Sequence, residues 1–306
     1  MEPLSKNVSL LKLLSEPGQN PAQAIKAIED GADVNETSPY GFTPLMFAVL
    51  LNDDIQLVRL LLERNADVDA ETDEGMTALM WSLMAETYDH IGHDVTATLA
   101  RNERRCAIAM EIIKAGANVN TLCYSPQRKR WAPLLFATLD PDRNASVISA
   151  LIDAGANVSA RTEDELTPLI LASEHGRSPD VVHHLIEAGA DVNAVGMQEG
   201  REGWTPLLYA LNSPYKSFSI VKELVLANAD VNVAAPNGYT PLFFALNLGD
   251  DPACVELLLN AGADAEARDR DNNKLFDCAM AKNYKRVAHV LSKTTKSVLL
   301  KRGAQI

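Results

Sequence analysis

The sequence predicts an all-α solenoid of stacked helix pairs, and three observations predict it. A helix-start signal, Thr-Pro-Leu, recurs at a nearly fixed interval. A closing signal of the type Gly-Ala-Asp-Val-Asn recurs in step with it. Each start–close pair encloses two short apolar stripes that cannot bury themselves alone and so need neighbours of the same kind.

Residues 238–264 show one unit entire. Thr240 before Pro241 marks a helix start: a hydroxyl caps free backbone N–H groups, and proline fits the first helical position without losing a needed donor. Leu242, Ala245 and Leu246 follow at helical spacing. Gly249-Asp250-Asp251-Pro252 breaks that helix, and a second starts near Ala253 with Cys254, Val255, Leu258 and Leu259 on one face. Asn260-Ala261-Gly262 ends it, the glycine supplying left-handed backbone.

The start recurs at Thr43, Thr77, Ala132, Thr167, Thr205 and Thr240, spaced 34, 55, 35, 38 and 35 residues apart. The close recurs at 31–35, 65–69, 116–120, 155–159, 189–193, 228–232 and 262–264. Asn65 and Asn228 replace the closing glycine, a mild exception because asparagine tolerates a positive φ. These motifs closely resemble the ankyrin repeat over about residues 21–291, and six internal repeats carry both halves. The resemblance implies helix-turn-helix pairs joined by β-hairpin fingers, about eight units including degenerate caps, in a single domain spanning 1–306.

In chain order, residues 1–35 are expected to form the N-terminal cap: a helix over 6–16 with Val8, Leu11 and Leu14 as its stripe, then Pro21 to Glu29 with Ala24, Ile25 and Ile28 apolar. Residues 36–266 hold the six internal repeats. In the second, 24 residues separate Leu83 from Ile108, where seven separate Val49 from Leu57 in the first. The excess is an insertion at 86–104, in which Asp94 caps a helix running through Leu99 into Cys106, Ile108 and Ile112. Two fingers are lengthened, 121–131 and 194–204, each spanning 12 positions where the first spans eight. Residues 267–291 form a polar C-terminal cap with Asn273-Lys274-Leu275 in place of Thr-Pro-Leu, and 292–306 are a fraying tail, helical at Ser297 to Lys301.

Composition bounds the function. No run of about 18 apolar residues is present to span a bilayer, and the N-terminal residues lack the apolar core of a signal peptide. Four well-separated cysteines read as free thiols in a reducing compartment. The chain is therefore expected to be cytoplasmic, or delivered to a host cytosol. Net charge is −13, and residues 278–306 hold seven Lys or Arg and no acid, so the remaining 21 bases against 41 acids leave −20 on residues 1–277. Such a body repels phosphate backbones and argues against nucleic-acid binding.

Chemistry is sparse. His90 and His93 beside Asp89 and Asp94 make a weak metal pattern in an irregular insertion. The glycines at 196, 200 and 203 precede no phosphate-binding lysine. His183 and His184 are adjacent on a helix and point apart, and Glu174-His175 reads as a solvent-facing pair. The expectation is no enzyme, no catalytic residue, no metal, no cofactor and no small-molecule substrate.

What the resemblance implies instead is protein–protein recognition on a concave surface of fingers and first helices. The residue before each helix start sits at the finger base in that family: Phe42, Met76, Trp131, Leu166, Trp204 and Tyr239. Large apolar side chains there suit an interface core, although each would equally serve to glue one repeat to the next. Leu50, Leu51, Met84 and Leu139 extend the stripe late in the first helices. Arg128, Lys129 and Arg130 make one finger basic on an acidic body. The expected protein is a monomeric module or scaffold that binds a protein partner. The alternative is a bacterial effector or regulatory subunit acting on a host protein or partner enzyme through the same surface.

Overall fold

The computed structural model describes residues 9–15, 21–52, 54–84, 95–126 and 128–303; at 51–52, 95–101 and 295–303 it describes the backbone alone. His90, His93, Val8 and the Asp94 cap lie outside the described residues. The chain divides into two compact units, Met1–Glu163 and Asp164–Ile306.

In the first unit, α1 (Leu10–Ser15) and α2 (Pro21–Glu29) make the opening pair. Leu10 and Leu14 are buried and Leu11 is half-buried; of the expected stripe Leu14 is thus buried, Leu10 joins it, and Val8 lies outside the described residues. Then come α3 (Pro44–Phe47), a π-helical turn at Ala48–Asn52, α4 (Ile55–Glu63), α5 (Ala78–Leu83), α6 (Val95–Lys114), α7 (Pro133–Ala137) and α8 (Ala145–Asp153). Leu50 and Leu51 thus sit on a wide turn where a regular helix was expected. The helix predicted across the insertion is present, and at 20 residues it is about twice the length of α4 and α8. The lengthened finger is a hairpin, β1 (Cys123–Ser125) pairing antiparallel with β2 (Arg128–Trp131).

The second unit runs α9 (Pro168–His175), α10 (Asp180–Glu187), α11 (Pro206–Asn212), α12 (Phe218–Leu226), α13 (Pro241–Ala245), a 3-10 turn at Leu246–Leu248, α14 (Ala253–Asn260), α15 (Leu275–Ala281) and α16 (Lys285–Gly303). The last helix does not stop at the cap. It continues through the residues expected to form a tail.

The two recurrent signals have separate physical jobs. The threonine hydroxyl caps the following helix at Thr43, Thr77 and Thr167, accepting from the N–H three residues on. Thr205 and Thr240 do not cap, and their hydroxyls are buried without a partner, so there the start rests on proline alone. The closing signal reverses the chain: Ala66 N–H reaches Leu61 C=O and Asn65 N–H reaches Leu62 C=O, with Asn65 at φ 63° as expected.

The end of the same signal ties repeat to repeat. The Asn120 carboxamide accepts from Asn157 N–H at 2.8 Å and donates to Gly155 C=O at 3.0 Å. Asn35 bridges to Asp67 and Asn65, Asn193 to Asp230 and Asn228, and Asn232 to Asp264 and Gly262 in the same way. Beneath this ladder lie the cores, Leu57, Val58, Leu61, Ile108, Ile112, Ile148 and Leu151 in the first unit and Val182, Leu185, Val221, Leu224 and Leu258 in the second. All are branched aliphatics on second helices, and together with Leu45, Leu79, Leu134, Leu169, Leu207 and Leu242 they leave water almost completely.

Candidate protein-binding face

Each finger closes on the residue just before the helix start. Its carbonyl accepts an N–H from across the finger: Phe42 from Ser38, Met76 from Thr72, Trp204 from Gly196 and Tyr239 from Ala235. Trp131 occupies the matching position in the β1–β2 register, opposite Cys123. With the backbone pinned there, the side chain is turned onto the first helix of its own repeat.

What it meets is a residue the sequence reading passed over. The fourth position after the helix start is Phe47, Trp81, Phe136, Leu171, Tyr209 or Phe244, aromatic in all but one repeat. Ring centroids lie 5.5 Å apart for Phe42–Phe47, 5.3 Å for Trp131–Phe136, 5.5 Å for Trp204–Tyr209 and 5.9 Å for Tyr239–Phe244. Some rings also reach the next repeat, Phe42 onto Trp81 at 5.8 Å and Trp204 onto Phe244 at 5.0 Å. The signal was available: a constant five-residue spacing between the two aromatic positions, which together hold more than half of the chain's Phe, Trp and Tyr.

Exposure divides the expected contacts into two groups. Met76, Leu166 and Trp204 are buried, Trp204 to 6%. Phe42, Leu50, Met84 and Trp131 are half-buried, and Tyr239 is 38% exposed. The Leu51 side chain lies outside the described residues. Two tyrosines that the reading did not single out, Tyr40 and Tyr124, stand out from fingers at 71% and 64% exposure.

The three basic residues of the long finger part ways. Arg128 lies over two rings, its guanidinium carbon 4.7 Å from the Trp131 centroid and 5.3 Å from that of Phe136. Burial pulls its pKa below the usual arginine value. Lys129 forms an exposed ion pair with Glu163 at 3.4 Å, worth little by itself. Arg130 is exposed with a left-handed backbone, φ 64°. In the second unit Arg201 repeats the stacking, 5.3 Å from Trp204 and 5.5 Å from Tyr209, and pairs with Glu174. Glu174 is thus engaged within the chain, where a solvent-facing pair was expected.

Gly196, in the glycine-bearing finger, has a packing role. A Cβ there would lie 2.8 Å from the Leu166 side chain and 3.1 Å from the Tyr209 hydroxyl. That hydroxyl is buried with no hydrogen-bond partner, and burial first, then Glu174, pushes its pKa up to about 12.

Other chemistry is thin among the described residues. No group of three or more His, Cys, Asp or Glu is placed to hold a metal. The cysteines are free, and burial raises the Cys123 thiol and pushes Cys254 up to about 12, so both are poor nucleophiles. No described helix is long and apolar enough to cross a membrane.

Comparison with known proteins agrees with this architecture. The profile described as "Ankyrin repeats (3 copies)" matches residues 5–102, 97–196, 134–233 and 207–301. The "Putative ankyrin repeat protein YahD" of Escherichia coli (strain K12) is 31% identical over 150 residues, 47% of this chain and 71% of that protein. "Ankyrin repeat and SAM domain-containing protein 6" of Rattus norvegicus is 37% identical over 117 residues, 38% of this chain and 12% of that protein. The "B-cell lymphoma 3 protein homolog" of Mus musculus is 32% identical over 135 residues, 43% of this chain and 29% of that protein. The chain therefore spans only a small part of the rat and mouse proteins. Ankyrin repeats generally mediate protein–protein interaction and are typically non-enzymatic. With profile matches along nearly its whole length and start and close signals at every turn of the repeat, the chain belongs to the ankyrin repeat family.

Proposed function

We propose that the chain is a non-enzymatic protein-recognition module whose partner lies on the face made by finger bases and first helices. The observation that carries this is the row of aromatic pairs. Phe42 and Trp131 in the first unit, and separately Tyr239 in the second, are held by a second ring, yet each keeps part of its surface in water. Rigid, part-exposed aromatics lose little conformational entropy on binding and are typical of interface anchors. Leu50 and Met84 add apolar surface beside them, and exposed Tyr40 and Tyr124 enlarge it. Met76 in the first unit and Leu166 and Trp204 in the second are buried and serve packing within their own unit. The chain acts as a monomer on a protein, not on nucleic acid.

A second reading, a regulatory or effector protein with an added outer function, draws on the insertion. There α6 and α8 frame an open cavity of about 570 Å3 lined by Asn102, Glu103, Cys106, Met110, Asp140 and Arg143. Truncating residues 86–104, which takes Asn102 and Glu103 from that cavity, separates the two. A pure recognition module keeps its partner and its effect, whereas loss of effect with binding intact favours the second reading.

A further inference from the structure

The two Arg–Trp stacks are internal copies of one device, and one of them lacks a part. In both lengthened fingers the arginine stands three residues before the tryptophan, Arg128 before Trp131 and Arg201 before Trp204. Both guanidinium groups lie over that indole and over the aromatic residue five positions further on. A guanidinium stacked in this way spends its faces on the rings and leaves its N–H edge to bind a planar oxyanion.

Beside Arg201 that edge is filled by the Glu174 carboxylate, which lies on the first helix of the preceding repeat, seven residues after its start at Thr167. The same register position in the first unit, seven after Thr77, is Met84. Among the described residues no carboxylate pairs with Arg128: the nearby Lys129 takes Glu163, and the Cys123 thiol donates to the Arg128 backbone carbonyl. The first unit thus holds a stacked, half-buried cation with an uncharged methionine at the register position where the second unit has its carboxylate.

We propose that Arg128 is an open carboxylate receptor. An Asp or Glu side chain of the partner protein takes the place beside Arg128 that Glu174 takes beside Arg201, with Trp131, Phe136 and Met84 as the apolar surround. This rests on the reading of the finger–helix face as the partner surface, and it names the partner chemistry: an acidic side chain flanked by apolar residues. Charge complementarity then explains how a strongly acidic chain accepts an acidic segment, since attraction is confined to one finger whose stacked arginine is already partly desolvated and so loses little more on pairing.

The test follows the arginine Nε–Hε signals of the full chain by NMR during titration with sodium acetate, sodium chloride at matched ionic strength, and inorganic phosphate. Arg128 should shift saturably with acetate and hardly with chloride, while Arg201, already paired, stays still. Glu174→Met should make Arg201 respond as Arg128 does, and Met84→Glu should silence Arg128; circular dichroism checks that each variant folds. An Arg128 signal that moves no further with acetate than with chloride overturns the proposal. Saturation with phosphate but not acetate overturns it in favour of a phosphorylated partner. A partner bound at this face whose affinity changes less than about tenfold on Arg128→Ala would keep the face and remove the receptor, so the two failures are distinguishable.

Discussion

Truncating Trp204 to alanine should cost far more stability than truncating Trp131, and the difference follows from their surroundings. Trp204 is 6% exposed, with its ring edge-on to Tyr209 at 5.5 Å and to Phe244 of the next repeat at 5.0 Å. Removing a buried tryptophan side chain typically costs about 3–5 kcal/mol, combining lost transfer energy with the cavity left behind. Here the hole also strands Arg201 and opens the contact between two repeats. Trp131 is half-buried, and its ring partner is Phe136 within its own repeat. Roughly half the transfer energy and little cavity remain, so about 1–2 kcal/mol is expected. Urea unfolding followed by far-ultraviolet circular dichroism gives the midpoints, and native-state hydrogen exchange at Tyr209 and Phe244 localises the effect should the array unfold in parts. Equal midpoints for the two variants, or an unmoved midpoint for Trp204→Ala, would refute the assignment of Trp204 to repeat-to-repeat packing.

Further expectations can be checked on the same material. Gly196→Ala should lower stability by about 1–3 kcal/mol through overpacking against Leu166 and Tyr209, whereas Gly200→Ala, which meets no neighbour, suffers only the strain of its positive φ. Asn120→Ala removes both halves of an inter-repeat bridge and should cost roughly 1 kcal/mol, read by urea midpoint. His183 bonds Glu223 at 2.6 Å, with Glu187 close to its other ring nitrogen, and its pKa is raised, first by the Glu223 bond and then by the Glu187 charge. Its contribution is therefore fully present below the ordinary histidine pKa of about 6.5 and is lost as pH rises through the raised value. His183→Gln should accordingly lower stability at pH 5.5 and change nothing at pH 9; an equal effect at both pH values would sink the ion-pair account.

Much of the fold was legible because its signals are local. Thr-Pro-Leu and the closing motif act through caps, left-handed backbone and Asx turns within a few residues, so position in sequence fixes position in the unit. Thr205 and Thr240 show the limit: the same tripeptide is present, but small differences in how the helix enters leave the hydroxyl unused. In the opening helix Leu10 was not placed on the stripe, because Leu11 and Leu14 satisfy helical spacing as well as Leu10 and Leu14 do. Only contact with the following pair decides between them. At the face, the finger-base residues were readable from their register, but their exposure was not. Met76, Trp131 and Trp204 look alike in sequence, and whether a ring is covered depends on the neighbouring repeat. The stacking of Arg128 was likewise invisible: three cations in a row suggest a solvated fingertip, whereas a bulged hairpin with Arg130 left-handed at φ 64° breaks the strand's alternation, so that Arg128 lies over Trp131 and Arg130 is exposed.

The central claim, that a protein partner lies on the finger and first-helix face, is tested most directly by site-specific photo-crosslinking. A photoreactive phenylalanine analogue at Tyr124 probes that face, and the same residue at Glu63, exposed on α4, probes the outer helices of the same unit. Irradiation in extract of the source cells, followed by mass spectrometry, should give a discrete protein adduct from position 124 that Trp131→Ala diminishes, and none of the same identity from position 63. An adduct of that protein from position 63 with none from position 124 would place recognition on the outer helices and contradict the account.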